Sequence, residues 1–145
     1  MSAVYADYSQ EEPDRAYDQS TLVPNMADYM AGWAQTSHEV RTENPPKTIA
    51  YGPREDERVD VYQGEPGSPV HFHIHGGAWR AMSRQDCAFV TRGLAARGAT
   101  IVVAGFSLVP KVPLPELVSQ VRRACVFVTN SVGGAERLYV SGHSS

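Results

Sequence analysis

Two stretches of this chain carry residue types that could do chemistry together. One is His71-Phe72-His73-Ile74-His75-Gly76-Gly77-Ala78-Trp79, a β-prone run that breaks into two glycines. The other is Gly142-His143-Ser144-Ser145, which follows the apolar Leu138-Tyr139-Val140. A strand ending in Gly-Gly leaves backbone N–H groups that no side chain shields. A serine on a tight turn after a strand presents its hydroxyl unblocked. Acyl transfer needs both, an attacking oxygen and N–H donors aimed where a carbonyl oxygen becomes negative. Gly-x-Ser alone is a weak signal, because a plain Gly-Ser turn explains it equally. Its place directly after an apolar strand is the context a nucleophile elbow demands, with Gly142 opening the turn and Ser144 at its tip. In the other stretch the N–H groups around Gly77 and Ala78 are oxyanion candidates. His75 could brace that loop by hydrogen bonding, and Trp79 has a plainer alternative as a core aromatic.

His71, His73 and His75 fall on one strand face by alternation, which raises a metal site. No carboxylate or cysteine stands in register with them, as a zinc site usually has. Packed, hydrogen-bonded histidines are the expectation, with no metal and no cofactor.

The elements around these stretches follow from periodicity. Met26, Tyr29, Met30 and Trp33 are spaced as one face of an amphipathic helix, ended by Asn44-Pro45-Pro46. Thr48 to Tyr51 and Arg58 to Tyr62 are short strands. Val59 and Val61 alternate with Asp60 and Tyr62, as in an antiparallel strand with one wet face. Val70 to His75 is the next strand. Ser83, as N-cap with Asp86 at N3, predicts a helix with Cys87, Val90 and Leu94 on its apolar face and Gly98 as its stop. Thr100 to Phe106 is apolar on both faces, as a parallel strand between helix layers would be. Pro113 and Pro115 open a helix with the stripe Leu114, Leu117, Val118, Val121, Cys125 and Val128; Arg122 and Arg123 are expected on its solvated side. Gly133-Gly134 turns the chain into the last strand. Strands alternating with helices of this length mean an α/β fold with a parallel sheet and right-handed crossovers.

Composition sets the class. The 145 residues suffice for one modest domain, and 42% hydrophobic against 20% charged is ordinary for a globular protein. A net charge of -3 leaves no basic footprint for nucleic acid. Two cysteines, Cys87 and Cys125, sit too far apart for a zinc knuckle or a disulfide framework; buried thiols in a reducing cytoplasm are expected. No basic n-region with an apolar h-region opens the chain, and no apolar run reaches membrane-spanning length. Residues 1–22, acidic and aperiodic, are expected to be a flexible arm. Residues 23–145 are expected to form the N-terminal part of a single domain.

The sequence resembles the α/β-hydrolase superfamily, and within it the arylformamidase (kynurenine formamidase) group and its esterase relatives. The resemblance lies in Tyr51-Gly52-Pro53 leading to Arg58-Val59-Asp60-Val61-Tyr62, and in the loop His75 to Trp79. It continues in Leu108-x-Pro110, in Leu117-x-x-Gln120-Val121-Arg122 and in Gly142 to Ser145. It covers about Thr48 to Ser145. It implies Ser144 as nucleophile, with the Ser145 N–H and the Gly76, Gly77 and Ala78 loop as oxyanion hole. Ala78 before Trp79, where related esterases carry a third glycine, leans toward formamidases; Phe106 stands where a tyrosine is common. The implied reaction is hydrolysis of a formamide, N-formylkynurenine first, with a carboxylesterase as alternative. The implied partner is a small acyl substrate, with a homodimer conceivable for a full-length form.

In this fold the triad runs Ser, then Asp or Glu, then His along the chain. His143 neighbours the serine and points elsewhere, and His75 lies in the oxyanion loop. The sequence therefore reads as a chain cut at the nucleophile and inactive by itself. A non-catalytic fragment or binding module is the rival from another class.

Overall fold

The structure, a computed structural model, describes residues 6–133 and 135–144. Ser145 and Gly134 lie outside them. The chain divides into two units, one ending at Gly32 and one beginning at Trp33. In the first, the segment read as an aperiodic arm holds a two-turn helix α1, Glu11–Tyr17, which buries no residue. Helix α2, Met26–Glu43, begins in this unit and ends in the second.

The second unit is built on five strands: β1 Lys47–Ala50, β2 Arg58–Tyr62, β3 Val70–Ile74, β4 Thr100–Ala104 and β5 Leu138–Gly142. Their order is β1-β2-β4-β3-β5. β1 and β2 are antiparallel, as is β2 to β4, whereas β3 is parallel to both β4 and β5. β4 is buried along its whole length, the outcome its unbroken apolar run demands. Val59, Val61, Val70, Phe72, Val102 and Ala104 form one face, under helix α4, Leu114–Ser131. Tyr62, Ile101 and Val103 form the other, with Val40 of α2 and with Cys87 and Ala88.

Several expectations change in detail. On α2, Tyr29 and Met30 are exposed, and the buried positions are Ser37 and Val40. The predicted helix after Ser83 breaks into a 3-10 turn, Ala88–Val90, and a short α3, Thr91–Ala95, although Ser83 does bond the Asp86 N–H. The reason lies in α2: the Ser37 hydroxyl donates to the Asp86 carbonyl at 2.7 Å and accepts from the Phe89 N–H at 3.0 Å, taking two groups the helix ladder would use. On α4 the buried seam is Leu117, Gln120, Ala124 and Val128, while Leu114 and Val118 face out. β2 has no wet face. Asp60 is fully buried, bonded by Thr48, Arg41 and Arg84 at 2.6, 2.9 and 3.1 Å. Such burial is tolerable because both carboxylate oxygens are paired. Arg123 likewise has a partner, the fully buried Glu57 at 2.6 Å, and also reaches Glu116. Cys87 is buried and its thiol is pushed up to about 12 by desolvation; Cys125 is only partly covered.

Candidate active site

β3 and β5 run side by side in parallel, and their last paired residues are Ile74 and Gly142. Both chemistry-bearing stretches therefore leave the sheet at the same end. That end, outside the carboxyl termini of parallel strands, is where open α/β sheets place their ligands. One further bond prolongs the pairing, from the His143 N–H to the Ile74 carbonyl at 3.2 Å.

The next residue, Ser144, is exposed and has φ +53°. A non-glycine residue in the left-handed region costs on the order of 1–2 kcal/mol and is held there only by its surroundings. Part of that hold is Gly76. A Cβ on Gly76 would stand 2.4 Å from the His143 carbonyl oxygen and 3.1 Å from the Ser144 Cβ. Glycine is required at this position by close approach to the serine turn, not by its own backbone angles.

The loop after Gly76 is strained in the same sense, with φ +114° at Gly77, +52° at Ala78 and +57° at Trp79. The Gly77 carbonyl accepts from the Arg80 and Ala81 N–H groups, both at 3.0 Å, and the Trp79 carbonyl accepts from Val109 at 2.8 Å. The N–H groups of Gly77 and Ala78 donate no backbone hydrogen bond among the described residues. Successive free N–H groups in such a conformation form a concavity suited to an anion.

His75 braces this loop. It is buried, its ring stacks on Phe106 with centroids 4.3 Å apart, and Nδ1 lies 2.8 Å from the Gly76 carbonyl. A carbonyl only accepts, so Nδ1 carries the proton. Burial lowers the imidazole's pKa, partly offset by that bond, and keeps the ring neutral. The other strand histidines turn to β5, as hydrogen-bonded packed residues: His71 Nε2 lies 2.8 Å and His73 Nδ1 2.9 Å from the Ser141 hydroxyl. His143 meets the Trp33 indole edge-on at 5.7 Å.

A cavity of about 210 Å³ opens beside Ser144, with Ile74, His75, Trp79, Phe106 and Leu117 in its walls. A second, of about 360 Å³, shares His75 and Phe106 and adds Asp56, Arg84 and Lys111. Phe106 is placed by residues that periodicity did not single out as contacts. The fully buried Gln120 accepts from the Ser107 N–H at 2.8 Å, and the Ser107 hydroxyl donates to Asp56 at 2.9 Å. An amide inside an apolar helix stripe is the sequence signal for such a bond. Of the predicted site residues, the structure brings Gly76 against Ser144 and lines one cavity with His75, Trp79, Gly142 and Ser144; Gly77 and Ala78 follow Gly76 in the loop, and Ser145 is outside the described residues.

No protein-family model matches the chain. Over 100 residues it is 36% identical to kynurenine formamidase of Danio rerio, an alignment covering 67% of this chain and 34% of that protein. Among solved structures, a proposed thioesterase from Silicibacter sp. superposes with a TM-score of 0.78 at 22% identity, over 89% of this chain and 50% of the other. An esterase of Pyrobaculum calidifontis does so with a TM-score of 0.61 at 22% identity, over 81% of this chain and 43% of the other. Over these spans the chain shares the α/β fold of those solved structures, and in sequence it is similar to kynurenine formamidases. Its mixed sheet with flanking helices fits part of an α/β fold, and the chain spans about a third of the length of the curated relatives it matches.

Proposed function

We propose that this sequence supplies the nucleophile and oxyanion hole of a serine hydrolase acting on a formamide, with N-formylkynurenine as the leading substrate. The observation that carries it is Ser144 at φ +53° directly after a parallel strand, packed against a glycine that leads into free N–H groups.

Ser144 Oγ attacks the formyl carbon while a histidine takes its proton. The Gly77 and Ala78 N–H groups, with that of Ser145, hold the oxyanion. The C–N bond then breaks, the histidine returns the proton to the leaving arylamine, and water hydrolyses the formyl-enzyme to formate and free Ser144. In α/β-hydrolases the acid and the histidine follow the serine. In a chain of the relatives' length they would therefore come after residue 145. Three imidazoles near the site are otherwise engaged, His75 with Gly76 and His71 and His73 with Ser141.

A carboxylesterase is the second reading, favoured by the esterases among the structural relatives and by the largely apolar cavity beside Ser144. Either way the partner is a small acyl substrate. A cytoplasmic location, suited to two free cysteines, and a homodimer of the full-length form complete the proposal. No helix among the described residues is long and apolar enough to cross a membrane. The test is a comparison of N-formylkynurenine with a short-chain aryl ester, using a form that carries the downstream sequence. Faster formamide turnover, lost in Ser144→Ala, supports the formamidase. Faster ester turnover moves the assignment to the esterase, and turnover surviving Ser144→Ala overturns both.

A further inference from the structure

We propose that Ser141 is a positioning residue: its hydroxyl, gripped between His71 and His73, registers the strand that carries Ser144 on the strand that carries the oxyanion loop. The proposal rests on the assignment of Ser144 as nucleophile and goes beyond it, to what aims that residue.

The geometry is specific. His71 and His73 lie on one face of β3, and Ser141 is the register partner of His73 on β5, three positions before Ser144. Both imidazoles reach the same oxygen, at 2.8 and 2.9 Å. Backbone pairing alone lets a strand slide or tilt. A hydroxyl held by two rings, themselves flanked by the buried Ile101 and Val103 of β4, resists both motions.

Proton bookkeeping makes the clasp directional. A serine hydroxyl has one hydrogen and two lone pairs; with the two ring nitrogens as its partners among the described residues, its hydrogen is used only when it donates to one ring and accepts from the other. His71 Nδ1 is buried with no hydrogen-bond partner among the described residues. A buried orphan N–H is rarer than a buried orphan acceptor, which puts the His71 proton on Nε2, donating to Ser141. The Ser141 hydroxyl then donates to His73 Nδ1, and His73 carries its own proton on Nε2. Both rings must be neutral for this arrangement, and the surroundings favour it. Burial lowers the pKa of His71, and burial followed by His71, His75 and His143 lowers that of His73 to about 4. Arg97 and Tyr139 line the cavity beside His71. A proton on His73 Nδ1 would meet the hydroxyl hydrogen and turn Ser141 away.

The experiment has two arms, each comparing wild type, Ser141→Ala and Ser141→Thr. In the 145-residue chain, long-range proton–nitrogen correlation spectra at neutral pH should show both rings as Nε2–H, with His73 Nδ1 shifted as a hydrogen-bond acceptor. Ser141→Ala should release that nitrogen and Ser141→Thr should restore it. Identical His71 and His73 nitrogen signals in wild type and Ser141→Ala overturn the clasp. In a form carrying the downstream sequence, fluorophosphonate labelling of Ser144 should slow by about tenfold to a hundredfold in Ser141→Ala, the range expected for a reacting group displaced by a fraction of an ångström to one. Ser141→Thr should recover it. Wild type labelled and Ser141→Ala labelled equally fast overturns the positioning role alone. A wild type that never labels overturns the nucleophile, and the positioning role with it.

Discussion

Gly76→Ala isolates the contact on which the site is built. Gly76 does not have a positive φ, so its backbone accepts alanine. What it lacks is room: the new Cβ would lie 2.4 Å from the His143 carbonyl oxygen, where ordinary contact begins at 3.4 Å. About 1 Å must be made up between two backbones, neither of which is a flexible side-chain end. Overpacking of this kind costs about 1–3 kcal/mol. A displacement of that size at a catalytic serine lowers reactivity by roughly a hundredfold. The matched control is Gly32→Ala within α2, where nothing lies within 4 Å and the helix should gain about 0.5–1 kcal/mol. Urea unfolding followed by circular dichroism gives both numbers from the chain itself. Gly76→Ala with the wild-type midpoint and an unshifted Ser144 amide signal would refute the close approach of loop and elbow.

Three further outcomes are expected. Gln120→Leu strands the buried Ser107 N–H and should cost about 1–3 kcal/mol in urea unfolding, with loss of the His75–Phe106 stack visible as shifted ring signals. Ser37→Ala frees the Asp86 carbonyl and the Phe89 N–H and should cost about 1–2 kcal/mol, read the same way, with exchange of the Phe89 amide speeded. Stability should fall with acidification: His73 titrates near 4 in the folded chain and near 6.5 unfolded, so the unfolded state binds the proton first. The loss is spread between pH 6.5 and 4 and amounts to at most about 3 kcal/mol. His71 and His75 shift in the same direction and add to it. Carboxylates titrate lower, so a urea midpoint flat from pH 7 to 5 would contradict the neutral, buried imidazoles.

The strands were legible because a parallel strand between two helix layers must be apolar throughout, and Thr100 to Ala104 is. The two turns of the candidate site were legible for a similar reason: a sharp turn uses local chemistry, and Gly76-Gly77 and Gly142-His143-Ser144 are each contiguous in sequence. What stayed hidden depends on partners far along the chain. Asp60 reads as a wet-face residue until Arg41 and Arg84 close on it. The helix after Ser83 is interrupted by Ser37, 49 residues away from Asp86. Arg123 reads as solvated because nothing near it announces the buried Glu57. Ser141 sits in an ordinary strand, and only the pairing of β5 with β3 brings it between two imidazoles.

The central claim is that Ser144 is an acyl-transfer nucleophile. It is tested most directly by reacting a form of the protein that carries the downstream sequence with a fluorophosphonate and locating the adduct by mass spectrometry. The account predicts one adduct, on Ser144, absent from Ser144→Ala and from the 145-residue chain alone. No adduct in the longer form, or one on another serine, would contradict it.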